Sequence, residues 1–232
     1  DAVREPHKGG IPSKFNIKIK EQKEGRTEQG KIAHGFATKK EVENYKVRVK
    51  LEDKEIKEYS CKELNSKMKL PKFYVYHMAK IQQFYLDTLE IPKNLFRFRQ
   101  LSEKEKAFYN KIHFDIELNL ETLGGFRELA GLHYRGSHDL GGHQEGSKTK
   151  LEVVIDNKKF IPHVLELSFG IDRNIWALLD IFYKEEKERT LFTFPYKLSP
   201  IDIAIFPLVK KDGLPEIAKE IFHDLRKDFI CT

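Results

Sequence analysis

The 232-residue chain has only two cysteines, two methionines and one tryptophan. Cys61 and Cys231 lie far apart and neither sits in a CxxC pair, so no zinc ribbon is expected. Two scattered cysteines fit a reduced, cytosolic protein. No apolar run approaches a membrane span, and no secretory h-region is present. There is no internal repeat and no low-complexity linker. Charge of one sign is also missing: 36 acidic residues offset 42 basic ones, leaving a net +6 and a pI near 9.0. That excess suits a polyanionic partner, and it suits a solvated charged surface equally well. The chain begins at Asp1 rather than Met, so this start is not taken as the gene's own.

What is present is a set of clear periodicities. Tyr45, Val47, Val49 and Leu51 alternate with Lys46, Arg48 and Lys50, which predicts a half-buried strand; Asn16 to Lys20 is a weaker candidate. Tyr74, Met78, Ile81, Tyr85 and Leu89 recur at helical spacing behind Pro71, and Pro92 ends that helix. Ser102 with Glu105 forms a capping-box signature and predicts a helix over about 103–112. Strands are expected at His113–Leu118, Gly125–Gly131, Leu151–Ile155 and Phe160–Phe169, with a Gly/His-rich loop from Gly131 to Gly146. A helix from Ile171 to about Glu185 carries Ile171, Ile175, Leu178, Leu179 and Phe182 on one face. Beyond Pro195, Ile201–Leu208 reads as a buried strand, and Leu214 to Leu225 as an amphipathic helix. Phe229 to Thr232 reads as half of another strand. A strand, a helix and half a strand cannot enclose a core, so either the protein continues or another chain completes this domain.

Chemistry concentrates in Phe160 to Arg173. Alternation turns Leu165, Leu167 and Phe169 toward a core and Glu166 and Ser168 to the other face. A carboxylate and a hydroxyl two residues apart can hold a small ammonium group; a solvent-facing surface fits the same pair. The strand breaks at Gly170, and Arg173 falls in the first helical turn. There its guanidinium suits a phosphate or can stack on a purine. Asp172 reads as an ordinary helix-start acid. Phe126, Glu128 and Ala130 share a face, where Glu128 suits a metal, a ribose, an amino group or a structural arginine. The spacing of His133, His138, Asp139 and His143 matches no metal motif, so these are expected to be polar surface and no metal ligands are assigned.

In this order the pieces resemble class II glycyl-tRNA synthetases of the archaeal and eukaryotic type. Arg97-Phe98-Arg99-Gln100 resembles the family's RFRQH, with Leu101 in place of histidine. Tyr109 to Glu117 is similar to YxxDxWDxE, and Gly125 to Gly131 to GWIEVAG. Arg135, Asp139-Leu140 and His143 follow R-x-x-x-DL-x-x-H. Pro162 to Arg173 resembles PxVIEPSFGIDR, which contains class II motif 3, with Leu167 where the family usually has proline. Phe192 to Leu208 is similar to the junction into the anticodon-binding domain. The resemblance covers roughly residues 72–232.

It implies an α+β architecture: an antiparallel sheet with flanking helices at 71–194, then the start of an α/β anticodon-binding domain at 195–232. Residues 1–70 would be an insertion, with tRNA-acceptor contact as the expected role. Glu166 and Ser168 would receive the ammonium of glycine, with Leu167 lining the pocket. Glu128 and Leu129 would contact ATP, and Arg173 would hold the nucleotide, stacking on adenine. Glu128, Glu166 and Arg173 would be the catalytic set, working with ATP, Mg2+ and tRNA(Gly). Motifs 1 and 2 are not found, so another chain or segment is expected to supply them, within a cytoplasmic homodimer. The alternative is a non-catalytic, synthetase-like accessory subunit that binds nucleic acid.

Overall fold

The computed structural model describes residues 43–52 and 54–232, together with the backbone pairing of β1 (Arg26–Thr27) and β2 (Lys31–Ile32). The expected strand at Asn16–Lys20 lies outside the described residues.

The strand predicted around Tyr45 forms as β3 (Lys46–Lys50), with Val47 and Val49 buried. It pairs antiparallel with β4 (Ile56–Ser60). Helix α1 (Cys61–Ser66) follows at once, capped by Ser60, whose Oγ accepts from the Glu63 N–H while Glu63 accepts from the Ser60 N–H. Helix α2 (Lys72–Gln83) begins behind Pro71 and continues as a π-helical turn, Phe84–Thr88. The predicted stripe is the buried one: Tyr74, Met78, Ile81, Tyr85 and Leu89 all lie in the core.

Strand β5 (Phe96–Gln100) runs parallel to β3 and antiparallel to β6 (Ile112–Leu120). Strand β7 (Gly125–Gly136) pairs antiparallel with β6 and with β10 (Val164–Phe169). The main sheet is therefore β10-β7-β6-β5-β3-β4, antiparallel except at β3–β5. The α+β expectation is met. Helix α2 covers one face, where Val47, Phe96, Phe98, Phe114, Ile116 and Leu132 supply the sheet's share of the core. The parallel contact of β3 with β5 is only two residues long. Gln82 satisfies part of what it leaves: its Oε1 accepts from the Arg48 N–H at 2.8 Å, and its Nε2 donates to the Lys46 carbonyl at 2.9 Å. A buried amide is stable where each of its polar atoms is bonded in this way.

Several expectations change. No helix forms over 103–112. Glu105 accepts from the Ser102 N–H and hydroxyl, the Glu105 N–H donates to the Ser102 carbonyl rather than its side chain, and only turns follow. The same S-x-x-E pattern succeeds at Ser60 because Cys61 and Leu64 bury themselves; after Ser102 the apolar Phe108 is exposed. A single turn without packing does not propagate. The expected Gly131–Gly146 loop is instead the end of β7 and helix α3 (His138–Ser147). The long strand at Phe160–Phe169 divides at Ile161-Pro162-His163 into β9 (Lys158–Phe160), paired with β8 (Val153–Ile155), and β10. Proline lacks the N–H that a continuous ladder needs.

Helix α4 (Ile171–Phe182) ends earlier than expected, because Tyr183–Glu185 forms β11 and pairs with β12 (Thr190–Phe192). Phe182 and Ala177 are buried, while Ile171, Ile175 and Leu179 on its apolar stripe remain exposed. Ile201–Leu208 is not a buried strand. Phe206 and Leu208 are exposed, and only a parallel bridge joins Ile203 to Cys231. Helix α5 (Leu214–Leu225) lies between these bridged segments and buries no residue. Among the described residues no helix is long and apolar enough to cross a membrane.

Candidate functional site

The sheet face opposite to α2 is polar. Directly opposed residues put His133, Glu166, Gly131 and Ser168 on it from β7 and β10. Strand β6 adds His113, Asp115 and Glu117, and β5 adds Arg97 and Arg99. Arg97 Nε donates to Glu117 at 2.6 Å; Arg99 donates to Glu117 at 2.9 Å and to Asp115 at 2.8 Å. Burial lowers the Arg99 pKa, but Glu105, Asp115 and Glu117 outweigh it and the net shift is upward. The Arg97 guanidinium also lies 3.8 Å from the Phe126 ring centroid. Two of the residues that mark the RFRQ segment thus form the ionic lattice under the site.

Alternation alone misplaces two groups. A β-bulge leaves Ile116 opposite Ala130 and the next residue, Glu117, opposite Glu128. Phe126 and Glu128 therefore keep the polar face, but Ala130 turns to the core and is buried. An extra residue in one strand shifts its phase by half a pleat. At the open edge, Leu165 packs on the core, whereas Leu167 and Phe169 are 39% and 40% exposed. Phe169 meets the rings of Phe84 and Tyr85.

Glu166 lies across from His133 and accepts a hydrogen bond from Arg135 Nη1. Arg135 is itself held by Asp139 in the first turn of α3, through Nε at 2.7 Å and Nη2 at 2.9 Å, and rests over the Tyr109 ring. Two carboxylates around one guanidinium leave this cluster with a net negative charge, which attracts a cation. Sequence reasoning assigns Arg135 no role; its only mark is its place in R-x-x-x-DL-x-x-H. His133 is half-buried on a strand rather than part of a polar loop. Its ring centroid lies 3.9 Å from that of His113, and its Nδ1 is 3.1 Å from Asn110 Nδ2. Burial, then His113, holds His133 below the usual imidazole range, against the pull of Glu166 and Asp115.

The strand–helix junction is fixed from below. Gly170 N–H donates to the Leu129 carbonyl at 2.9 Å. Asn174 Nδ2 donates to the Gly170 carbonyl at 2.8 Å, and its Oδ1 accepts from Tyr85 OH at 2.5 Å. Asn174 is a second residue the sequence did not single out; only its place one turn after Gly170 could have signalled it. Leu129, expected at ATP, has a buried side chain and presents its backbone here. Arg173 Nη1 lies 3.3 Å from the Glu128 carboxylate, and both side chains are largely open to solvent. Beside them is a cavity of about 560 Å³ lined by Leu120, Leu123, Arg127, Asp172 and Trp176, among others. Among the described residues no three His, Cys, Asp or Glu side chains are grouped to hold a metal ion.

No protein-family model matches the chain. The glycine–tRNA ligase of Borrelia hermsii is 36% identical over 166 residues, 68% of this chain and 37% of that protein. That of Treponema denticola is 36% identical over 148 residues, covering 59% and 32%. That of Malacoplasma penetrans is 33% identical over 211 residues, covering 88% and 44%. A solved structure of prolyl-tRNA synthetase from Cryptosporidium parvum, complexed with L-proline and AMP, superposes with a TM-score of 0.48 at 20% identity, over 67% of this chain and 30% of that one. The chain is thus similar to glycine–tRNA ligases and spans between 32% and 44% of the length of these three.

Proposed function

We propose that this chain supplies the motif 3 side of a glycine–tRNA ligase active site. The observation that carries the reading is the junction at Gly170. On its strand side Glu166 and Ser168 share a face; on its helix side Arg173 opens onto the cavity. The similarity to glycine–tRNA ligases over 68% of the chain supports it. The archaeal and eukaryotic type is proposed from the order of motifs, since the relatives above are bacterial.

Glycine's ammonium binds Glu166, with Ser168 adding a hydrogen bond and Leu167 at the wall. The Glu166 carboxylate gives one oxygen to Arg135 and keeps another for the substrate. Arg173 leaves its loose pairing with Glu128 to stack on the adenine of ATP. Glu128 and the Leu129 backbone contact the nucleotide. A glycine carboxylate oxygen attacks the α-phosphorus, the α–β phosphoanhydride bond breaks, and pyrophosphate leaves. A hydroxyl at the 3′ end of tRNA(Gly) then attacks the glycyl carbonyl and AMP leaves. Positioning and charge stabilisation carry both steps. Magnesium would accompany ATP and neutralise charge on its phosphates, and Glu128 and Asp172, the carboxylates lining the cavity, are the residues that would hold it. Motifs 1 and 2 come from another segment or chain, within a cytoplasmic homodimer. Residues 195–232 begin the anticodon-binding domain, and residues 1–70 contact the tRNA acceptor.

The test is glycine-dependent ATP–pyrophosphate exchange by the assembly isolated with this chain. Exchange should occur and should fall with Glu166→Ala, because losing a charged hydrogen bond costs about 1.5–3 kcal/mol, or roughly tenfold to a hundredfold in glycine affinity. A folded assembly without exchange would support the non-catalytic, nucleic-acid-binding accessory subunit instead.

A further inference from the structure

We propose that His133 forms the floor of the amino-acid pocket, and that its neutral imidazole both excludes a substrate side chain and admits the substrate's ammonium. The inference rests on the glycine-pocket reading above.

The register puts His133 directly across from Glu166, and Gly131 directly across from Ser168. The His133 ring does not stand clear of the strand. It folds over Gly131, so that a Cβ placed at Gly131 would meet Nε2 at 2.3 Å. The imidazole therefore spans the stations of the two residues that would receive the ammonium. It is also held there. The His113 ring lies behind it, 3.9 Å away between centroids, and Asn110 meets its Nδ1 at 3.1 Å. Asn110 is buried, and its Oδ1 has no hydrogen-bond partner among the described residues. Its amide can thus turn either end to the ring and follow either neutral tautomer. His113 is in turn 3.2 Å from Asp115. A ring fixed on both sides is a wall, and a pocket for glycine needs a wall because glycine offers nothing extra to grip.

The charges facing His133 come from every neighbouring strand. Strand β6 brings His113 and Asp115, β7 brings Arg135, and β10 brings Glu166; Asp139 on α3 acts through Arg135. Two imidazoles in contact do not both carry a proton readily. With His133 neutral, Glu166 presents its charge to the substrate. Once His133 takes a proton, it neutralises Glu166 from across the strand pair and repels the incoming ammonium. Glycine binding should therefore weaken as pH falls below the His133 pKa, which lies under the ordinary imidazole value. The KM for glycine should then rise about tenfold per pH unit.

The experiment is exchange by the complete assembly, comparing wild type with His133→Ala and His133→Gln, on glycine and on L-alanine, from pH 5.5 to 7.5. With His133→Ala, kcat/KM for alanine relative to glycine should rise about tenfold or more. With His133→Gln, which fills space without titrating, discrimination should persist while the acid rise in glycine KM disappears. A wild-type control by NMR needs no variant: glycine should lower the pKa of His133. If glycine is activated normally but both variants keep wild-type discrimination and the wild-type pH profile, the inference is overturned and the proposed function stands. If wild type activates no glycine, both fall together.

Discussion

Glu117 lies between two arginines in a buried position, and removing its charge should be costly in a predictable way. Its side chain is 7% exposed and accepts from Arg97 at 2.6 Å and from Arg99 at 2.9 Å. In Glu117→Leu, Arg99 keeps Asp115 and Glu105. Arg97, itself 14% exposed, loses its one carboxylate among the described residues and retains only the Phe126 ring. Breaking one side of a buried pair costs about 3–5 kcal/mol. The remaining partners of Arg99 and the cation–π contact, worth roughly 0.5–2 kcal/mol, offset part of it. The expected loss is about 2–4 kcal/mol, a fall of roughly 1–2 M in the urea midpoint. Pairing the change with Arg97→Met isolates the interaction, since the double variant should regain much of the loss. A coupling energy below about 0.5 kcal/mol, the scatter expected of independent sites, would refute the claim that this lattice holds the polar face together.

Glu105 tests the turn that replaced the expected helix. The Ser102 N–H, then Arg99 and the Ser102 hydroxyl, hold its carboxyl down to about 2. Its folded value lies below its unfolded one, so its contribution is complete above about 4.5 and is lost as pH falls toward 2. Glu105→Gln should flatten the stability–pH curve across that interval, and an unchanged slope by urea titration at several pH values would contradict the bonding. Trp176 is the single tryptophan, lines the cavity and is 51% exposed. ATP should change its fluorescence on binding; calorimetric binding with unaltered emission would place the nucleotide elsewhere.

The parts legible in the sequence are those where one period runs unbroken into one environment. Tyr74, Met78, Ile81 and Tyr85 announced both a helix and its buried face, and Val47 and Val49 a strand. Glu166, Ser168 and Arg173 were visible because a strand, a glycine and a helix start occur without a spacer. What escaped depends on partners distant in sequence. The bulge that parts Glu128 from Ala130 is set by pairing with β6, not by any residue of β7. Helix α3 has no buried residue and ten residues of weak, glycine-containing sequence; its first turn is held by Arg135 from the preceding strand. Phe169 and the Ile171, Ile175 and Leu179 part of the α4 stripe read as core by periodicity, yet they remain exposed. Ile201–Leu208 is apolar enough for a buried strand, but within the described residues it has only the Cys231 segment to pair with.

The overlap of His133 with Gly131 has a consequence for how this sequence can change. Gly131 carries no positive φ that would demand glycine; what forbids a larger residue there is the imidazole occupying its Cβ position. The two sites are epistatic, and the order of change matters. A substitution at 131 while His133 remains must push the ring against His113 and Asn110. The same substitution after 133 has become small is spared the three contacts with the ring, the nearest to a Cβ at 131. Losing the histidine first removes the 2.3 Å contact, whereas losing the glycine first requires the ring to move.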